Sequence, residues 1–128
     1  MGMPISAKLR CDGCGSEVVV TQVAQHWGMC NGKKLLFTVY ECSNCGTWNI
    51  CQIDDAESIK YLGKIKRLLA LRASGNYTKN QAGVYNSAQR RLNKQRKYLV
   101  KAYEGKKIEF IDIEHEVSRG WKVCGNVG

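Results

Sequence analysis

The chain has 128 residues, 44% of them hydrophobic, and a formal charge of +9 at pH 7, which suits one domain or one and a half. No stretch approaches the roughly 18 consecutive apolar residues of a membrane span, so the chain is expected to be soluble. The positive excess is local: residues 54–104 carry 12 basic and 4 acidic side chains, whereas 1–53 and 105–128 are close to neutral.

The first chemistry in chain order is Cys11 and Cys14 in CDGCG, repeated at Cys42 and Cys45 in CSNCG. Each C-x-x-C pair can wrap a tight knuckle around one side of a tetrahedral ion, and Gly15 and Gly46 supply the positive φ that closes each turn. Two matched knuckles predict one Zn2+ held by Cys11, Cys14, Cys42 and Cys45. A single iron in a rubredoxin-like centre is compatible with the same spacing. Zinc is preferred because no partner surface for electron transfer is evident. A secreted disulfide scaffold fits poorly, since seven cysteines are an odd number and no apolar signal segment precedes them. A reducing cytosol is the expected setting.

Around the knuckles the sequence predicts strands. Glu17 to Ala24 (EVVVTQVA) and Lys34 to Tyr40 (KLLFTVY) are rich in β-branched and aromatic residues, with a turn region over Gly28 to Gly32 and a short strand from Trp48 to Ile53. This is a zinc ribbon over residues 1–53, with few apolar residues for a large core. Metal binding, worth about 10–16 kcal/mol for structural zinc, is expected to supply much of its folding free energy.

From residue 54 the hydrophobic period changes to three and four. Asp54 with Glu57 forms a helix-start signal, and Ile59, Leu62, Ile65 and Leu69 line one face of a helix over about 55–74. Thr78 with Gln81 is a capping box for a second helix over about 79–104, whose seam is Tyr85, Ala88, Leu92, Gln95, Leu99 and Ala102. The short turn at Gly75, Asn76 and Tyr77 predicts an antiparallel helical hairpin over 54–105 within a monomer. The remaining residues, 106–128, are expected to pack on these parts. Lys107 to Val117 alternates as an edge strand, with Ile111, Ile113, His115 and Val117 on one face. The fold class is therefore α+β: ribbon, basic helical hairpin, C-terminal strand.

The cations on the hairpin are patterned. Arg90, Lys94, Lys97 and Lys101 follow one face of the second helix with Arg91 beside them, and Lys60, Lys64 and Arg67 do likewise on the first. A solvated helix face is commonly charged, but such a face usually mixes signs, and here no acidic residue occurs between Glu57 and Glu104. The stripe is thus expected to meet an external anion, either phosphate or an acidic protein surface.

Other candidates are weaker. His26 and Cys30 have ligand-like spacing in the hairpin, although four cysteines already satisfy one ion, and Cys51 and Cys124 are expected to be buried or idle. His115 between two glutamates is expected to be structural. His26 and His115 are the only histidines, too few for the histidine-rich metal unit of an HNH-type nuclease, and no nucleotide-binding loop or nucleophile motif occurs. The sequence predicts a protein that is not an enzyme.

The order of parts is C-x-x-C-G-x-E, a hairpin ending in aromatic-Glu-Cys-x-x-Cys-G, a short strand, an acidic cap and a Lys/Arg-rich helical hairpin. Over about residues 9–104 it resembles small zinc-ribbon proteins encoded by bacteriophages and prophages of Gram-positive bacteria. Asp12-Gly13 and Ser43-Asn44 stand where Pro-x is usual in such knuckles, and the C-terminal strand lies outside the resemblance. It implies a mobile-element origin and the cytoplasm of a bacterial host, where small proteins serve as adaptors or inhibitors of host defence. Two functions follow: a module whose basic helical hairpin grips nucleic acid through phosphates or binds a host or phage nucleic-acid-handling protein, or an anti-CRISPR-type inhibitor that docks on a defence effector such as a Cas9-like nuclease.

Overall fold

Strand β2, Glu17–Cys30, organises the sheet. Its first half pairs with β1, Gly2–Arg10, and its second half with β3, Lys33–Glu41, on which β4, Trp48–Asp54, is laid in turn. Two short strands, β5 at Ile108–Phe110 and β6 at Glu116–Val117, extend the sheet from the Gly28–Cys30 end of β2. In this computed structural model, which describes residues 2–11 and 13–123, every pairing is antiparallel and the six strands form one sheet. Asp12 and the Cys124 to Gly128 tail, with the expectation of an idle Cys124, lie outside the described residues.

The β2–β3 connection is tighter than the predicted Gly28 to Gly32 turn region. Only Asn31 (φ 51°) and Gly32 (φ 78°) leave the strands, and two successive positive φ values make a type I′ turn whose twist matches the strands it joins. Gly28 belongs to β2, opposite Leu35 of β3 and Phe110 of β5. Strand β1 has no counterpart among the predicted strands. It is weakly patterned and its register shifts between Pro4 and Ala7, the kind of irregularity at which a proline without an N–H is tolerated.

Helix α1, Ala56–Ala73, and helix α2, Lys79–Tyr103, match the two predicted helices within a residue or so. The second starts with the predicted Thr78–Gln81 capping box. The first does not start with Asp54 and Glu57: Asp55 is the N-cap, bonded reciprocally to Ser58. Asp54 closes β4 instead, fully buried, where its carboxylate accepts from Arg96 Nε at 2.9 Å and Nη2 at 3.3 Å. A forked pair to a guanidinium is a favourable arrangement for a carboxylate withdrawn from water. The helices run antiparallel, since Gln95 reaches back to Asp55 while Tyr61, Leu62 and Ile65 pack with Tyr85, Ala88 and Leu92. Leu68, not Leu69, completes the buried face of α1, and Leu69 is exposed.

The main core joins β2, β3 and β4 to α2 and the C-terminal segment. Cys30, Leu35, Phe37, Val39, Ile50 and Ile53 from the sheet meet Leu99 of α2, Ile108 and Phe110 of β5, and Trp121. A smaller cluster of Leu9, Val23 and Tyr40 sits under β1. The predicted continuous strand from Lys107 to Val117 is broken at 111–115. The Asp112 carboxylate accepts from Trp27 N–H at 2.9 Å and faces His26 Nδ1 at 3.3 Å, which bends the chain and leaves Ile111 and Ile113 exposed rather than on a core face.

Candidate metal centre

Cys11 directly follows β1 and Cys42 directly follows β3, so the sheet delivers both knuckles to the same end. The two turns repeat each other. Gly15 N–H donates to Cys11 O at 2.9 Å and Cys11 N–H to Ser16 O at 3.0 Å; Gly46 N–H donates to Cys42 O at 2.8 Å and Cys42 N–H to Thr47 O at 2.9 Å. Gly15 and Gly46 adopt φ of 73° and 77°, conformations that a side chain would strain. The knuckles also touch directly, because a Cβ on Gly13 would fall on the Thr47 side chain.

The four sulfurs lie within 4.8 Å of one another, with Cys11 to Cys45 at 3.5 Å and Cys14 to Cys42 at 3.9 Å. A tetrahedral ion with metal–sulfur bonds of about 2.3 Å places its ligands about 3.8 Å apart, so the set fits one such ion. None of the four is in a disulfide. Cys11 and Cys42 are buried and Cys14 and Cys45 exposed, so each knuckle contributes one inner and one outer sulfur.

Neighbouring N–H groups prepare the first knuckle for the thiolate form. The Ser16 hydroxyl and backbone, with the Asn44 amide, hold the exposed Cys14 thiol down at about 6. Burial pushes Cys11 up, yet the Cys14 and Gly13 N–H groups and the Asn49 amide outweigh it and leave the thiol below its ordinary value. At Cys42 the Cys45 and Asn44 N–H groups act downward, while burial and the adjacent Cys11 and Cys45 sulfurs carry the net shift upward. Four crowded thiols resist ionising together, and a bound cation removes that penalty.

Sequence reasoning missed Asn44 and Asn49. Both reach from the second half of the ribbon to sulfurs of the first, Asn44 Nδ2 to Cys14 Sγ at 3.6 Å and buried Asn49 Nδ2 to Cys11 Sγ at 3.4 Å. Such partners fix ligand orientation. An asparagine two residues past Cys42 and another in the following strand carried no sequence signal, because the contacts cross the two halves.

The other candidates lie elsewhere. Cys30 is in the main core, where burial raises its thiol, and its Sγ faces the Tyr103 and Lys106 carbonyls. His26 and His115 share one aromatic cluster: His115 stacks on Trp48 at 3.7 Å between ring centroids, and His26 stacks on it at 5.6 Å. Neither His26 nor Cys30 joins the cysteine cluster. Lys60, Lys64 and Arg67 on α1, and Arg90, Arg91, Lys94, Lys97 and Lys101 on α2, are all exposed. Among the described residues none of these eight makes an ion pair. Arg96, which flanks the stripe, is held by Asp54. Among the described residues no helix is long and apolar enough to cross a membrane.

No protein-family model matches the chain, and no match was found among curated proteins or solved structures.

Proposed function

We propose that the four cysteines hold one zinc ion and that the protein is a non-enzymatic, phage-encoded monomer. In the cytoplasm of a bacterial host, its basic helical hairpin would bind nucleic acid through the phosphate backbone. The observation that carries the reading is the row of exposed cations without ion-pair partners among the described residues, which leaves their charge available to an outside anion. The ribbon is then a rigid platform and the hairpin the gripping surface. The phage and host assignments rest on the order of motifs.

Metal identity is tested by elemental analysis of the purified protein. One zinc per chain is expected, and Cys42→Ser should lose it; visible absorbance from iron would replace zinc with a rubredoxin-like centre, and protein without metal would sink the reading. The binding surface is tested by replacing Arg90, Lys94, Lys97 and Lys101 with glutamine. These side chains are exposed, so folding should survive. Affinity for duplex DNA should fall alike for all sequences, and the slope of log affinity against log salt should shrink by about 0.9 for each lost phosphate contact. Unchanged binding would make the stripe a solvated face. A pull-down from host lysate with and without nuclease separates this reading from an anti-CRISPR-type inhibitor, whose effector partner would survive the nuclease.

A further inference from the structure

Beyond the phosphate-binding stripe, a groove of about 440 Å³ opens between α2 and β4. This volume lies within the range of ligand-binding clefts. Its floor is aliphatic, formed by Ile53, Val100 and Val123, and its rim carries Lys97 and Lys101 one helical turn apart. Arg96 also lines it, but its charge is matched by buried Asp54. Lys97 and Lys101 have no ion-pair partner among the described residues, so two uncompensated cations border an apolar floor.

We propose that this groove docks an acidic peptide segment of a partner protein, with an apolar side chain seated on Val100 and Val123 and a carboxylate on Lys97 or Lys101. Charge complementarity selects the occupant: the rim excludes a basic segment, and an apolar anchor ringed by opposite charges is how compact protein interfaces gain affinity. An unstacked nucleobase fits less well. Bases are held by aromatic or guanidinium stacking and by partners for their edges. Among the described residues no aromatic side chain lines the groove, Arg96 is fixed by Asp54, and the Gln52 amide already donates to Asp54. Because the stripe and the groove share Lys97 and Lys101, peptide and phosphate should compete.

The test uses a fluorescein-labelled peptide of two leucines flanked by glutamates, a version with serine in place of leucine, and a labelled oligothymidylate. The zinc-loaded full chain is followed by fluorescence anisotropy. The leucine peptide should bind, and either serine replacement or Val100→Asp should weaken it by about tenfold or more, as expected for an anchor contact. Val100→Asp, which sets a carboxylate beside Lys97 and Lys101, should lower duplex affinity less than it lowers peptide affinity, and unlabelled duplex should displace the peptide from the unaltered protein. If Val100→Asp disturbs the circular dichroism spectrum, the Lys97→Gln/Lys101→Gln protein decides instead: retained peptide affinity overturns the proposal. Equal binding of leucine and serine peptides, no peptide binding, or loss of only the oligothymidylate on Val100→Asp overturns it as well. Absence of duplex binding with an intact peptide response would sink the nucleic-acid reading and leave the groove standing.

Discussion

At Gly28 of β2 an added Cβ would lie 2.9 Å from Ile108 Cγ2, 3.2 Å from Phe37 Cε2 and 3.3 Å from Phe110 Cδ1. All three neighbours are buried side chains of the main core, so none can move aside into solvent. Gly28→Ala should therefore destabilise the protein by about 1–3 kcal/mol through overpacking. Urea denaturation checks it: the midpoint should fall at an unchanged m-value, and an unchanged midpoint would show that β5 can shift away. From sequence this glycine looks like part of a turn, because a glycine between hydrophobic runs commonly marks one. The neighbouring Asn31-Gly32 pair was the better signal, since Asn-Gly suits a type I′ turn and leaves Gly28 free to be a strand residue. The cysteine pairs were legible because the knuckle is a local structure, closed by hydrogen bonds within a few residues. The Asp54–Arg96 pair and the Asn44 and Asn49 contacts were not, because their partners are brought together only by the fold.

At the level of elements, the helices were the most legible part and the sheet edges the least. Helix α2 shows why: its Thr78–Gln81 box is written in four consecutive residues, and the structure satisfies both bonds, at 3.2 Å and 2.8 Å. Thr78→Ala should cost about 1 kcal/mol, and thermal or urea melts followed by circular dichroism should register it. Asp55→Ala should cost more, because the same carboxylate that caps α1 also accepts from Gln95 at 2.8 Å and ties the two helices together. Equal losses would mean that the Gln95 bond adds nothing. The Leu68 and Leu69 exchange marks the limit of periodicity, since both fit a three-and-four pattern from Ile65 and only packing in the folded hairpin chooses between them. The Lys107 to Val117 segment failed for a different reason. Its alternation slips by one residue at Phe110 and Ile111, so Ile108 and Phe110 share one parity and Ile111 and Ile113 the other, and Asp112, drawn to Trp27 and His26 of β2, turns the chain just after that slip.

For the whole molecule, the position of the candidate metal centre relative to the core decides what removal of a bound ion should do. The cysteines sit at the knuckle end of the ribbon, near the small Leu9, Val23 and Tyr40 cluster, whereas Phe37, Leu99, Ile108 and Trp121 belong to a separate core that includes α2 and β5. The ribbon thus has an apolar core larger than its own composition implies, because the helix and the C-terminal strands complete it. Chelation should accordingly act unevenly. Four sulfurs left without a cation, two of them buried, no longer hold Cys11 to Gly46 in register, so amides of the knuckles and of the adjoining ends of β1 and β4 should exchange freely. Amides of α2 and of the β2–β3 turn end should stay protected, and the helical circular dichroism signal should persist with a lowered but still cooperative melt. Hydrogen exchange followed by mass spectrometry, with and without chelator, reads both halves of this expectation. Uniform loss of protection would make the metal the keystone of the entire fold. Unchanged knuckle exchange would show instead that the turn hydrogen bonds and the Gly13–Thr47 contact hold the site together without an ion.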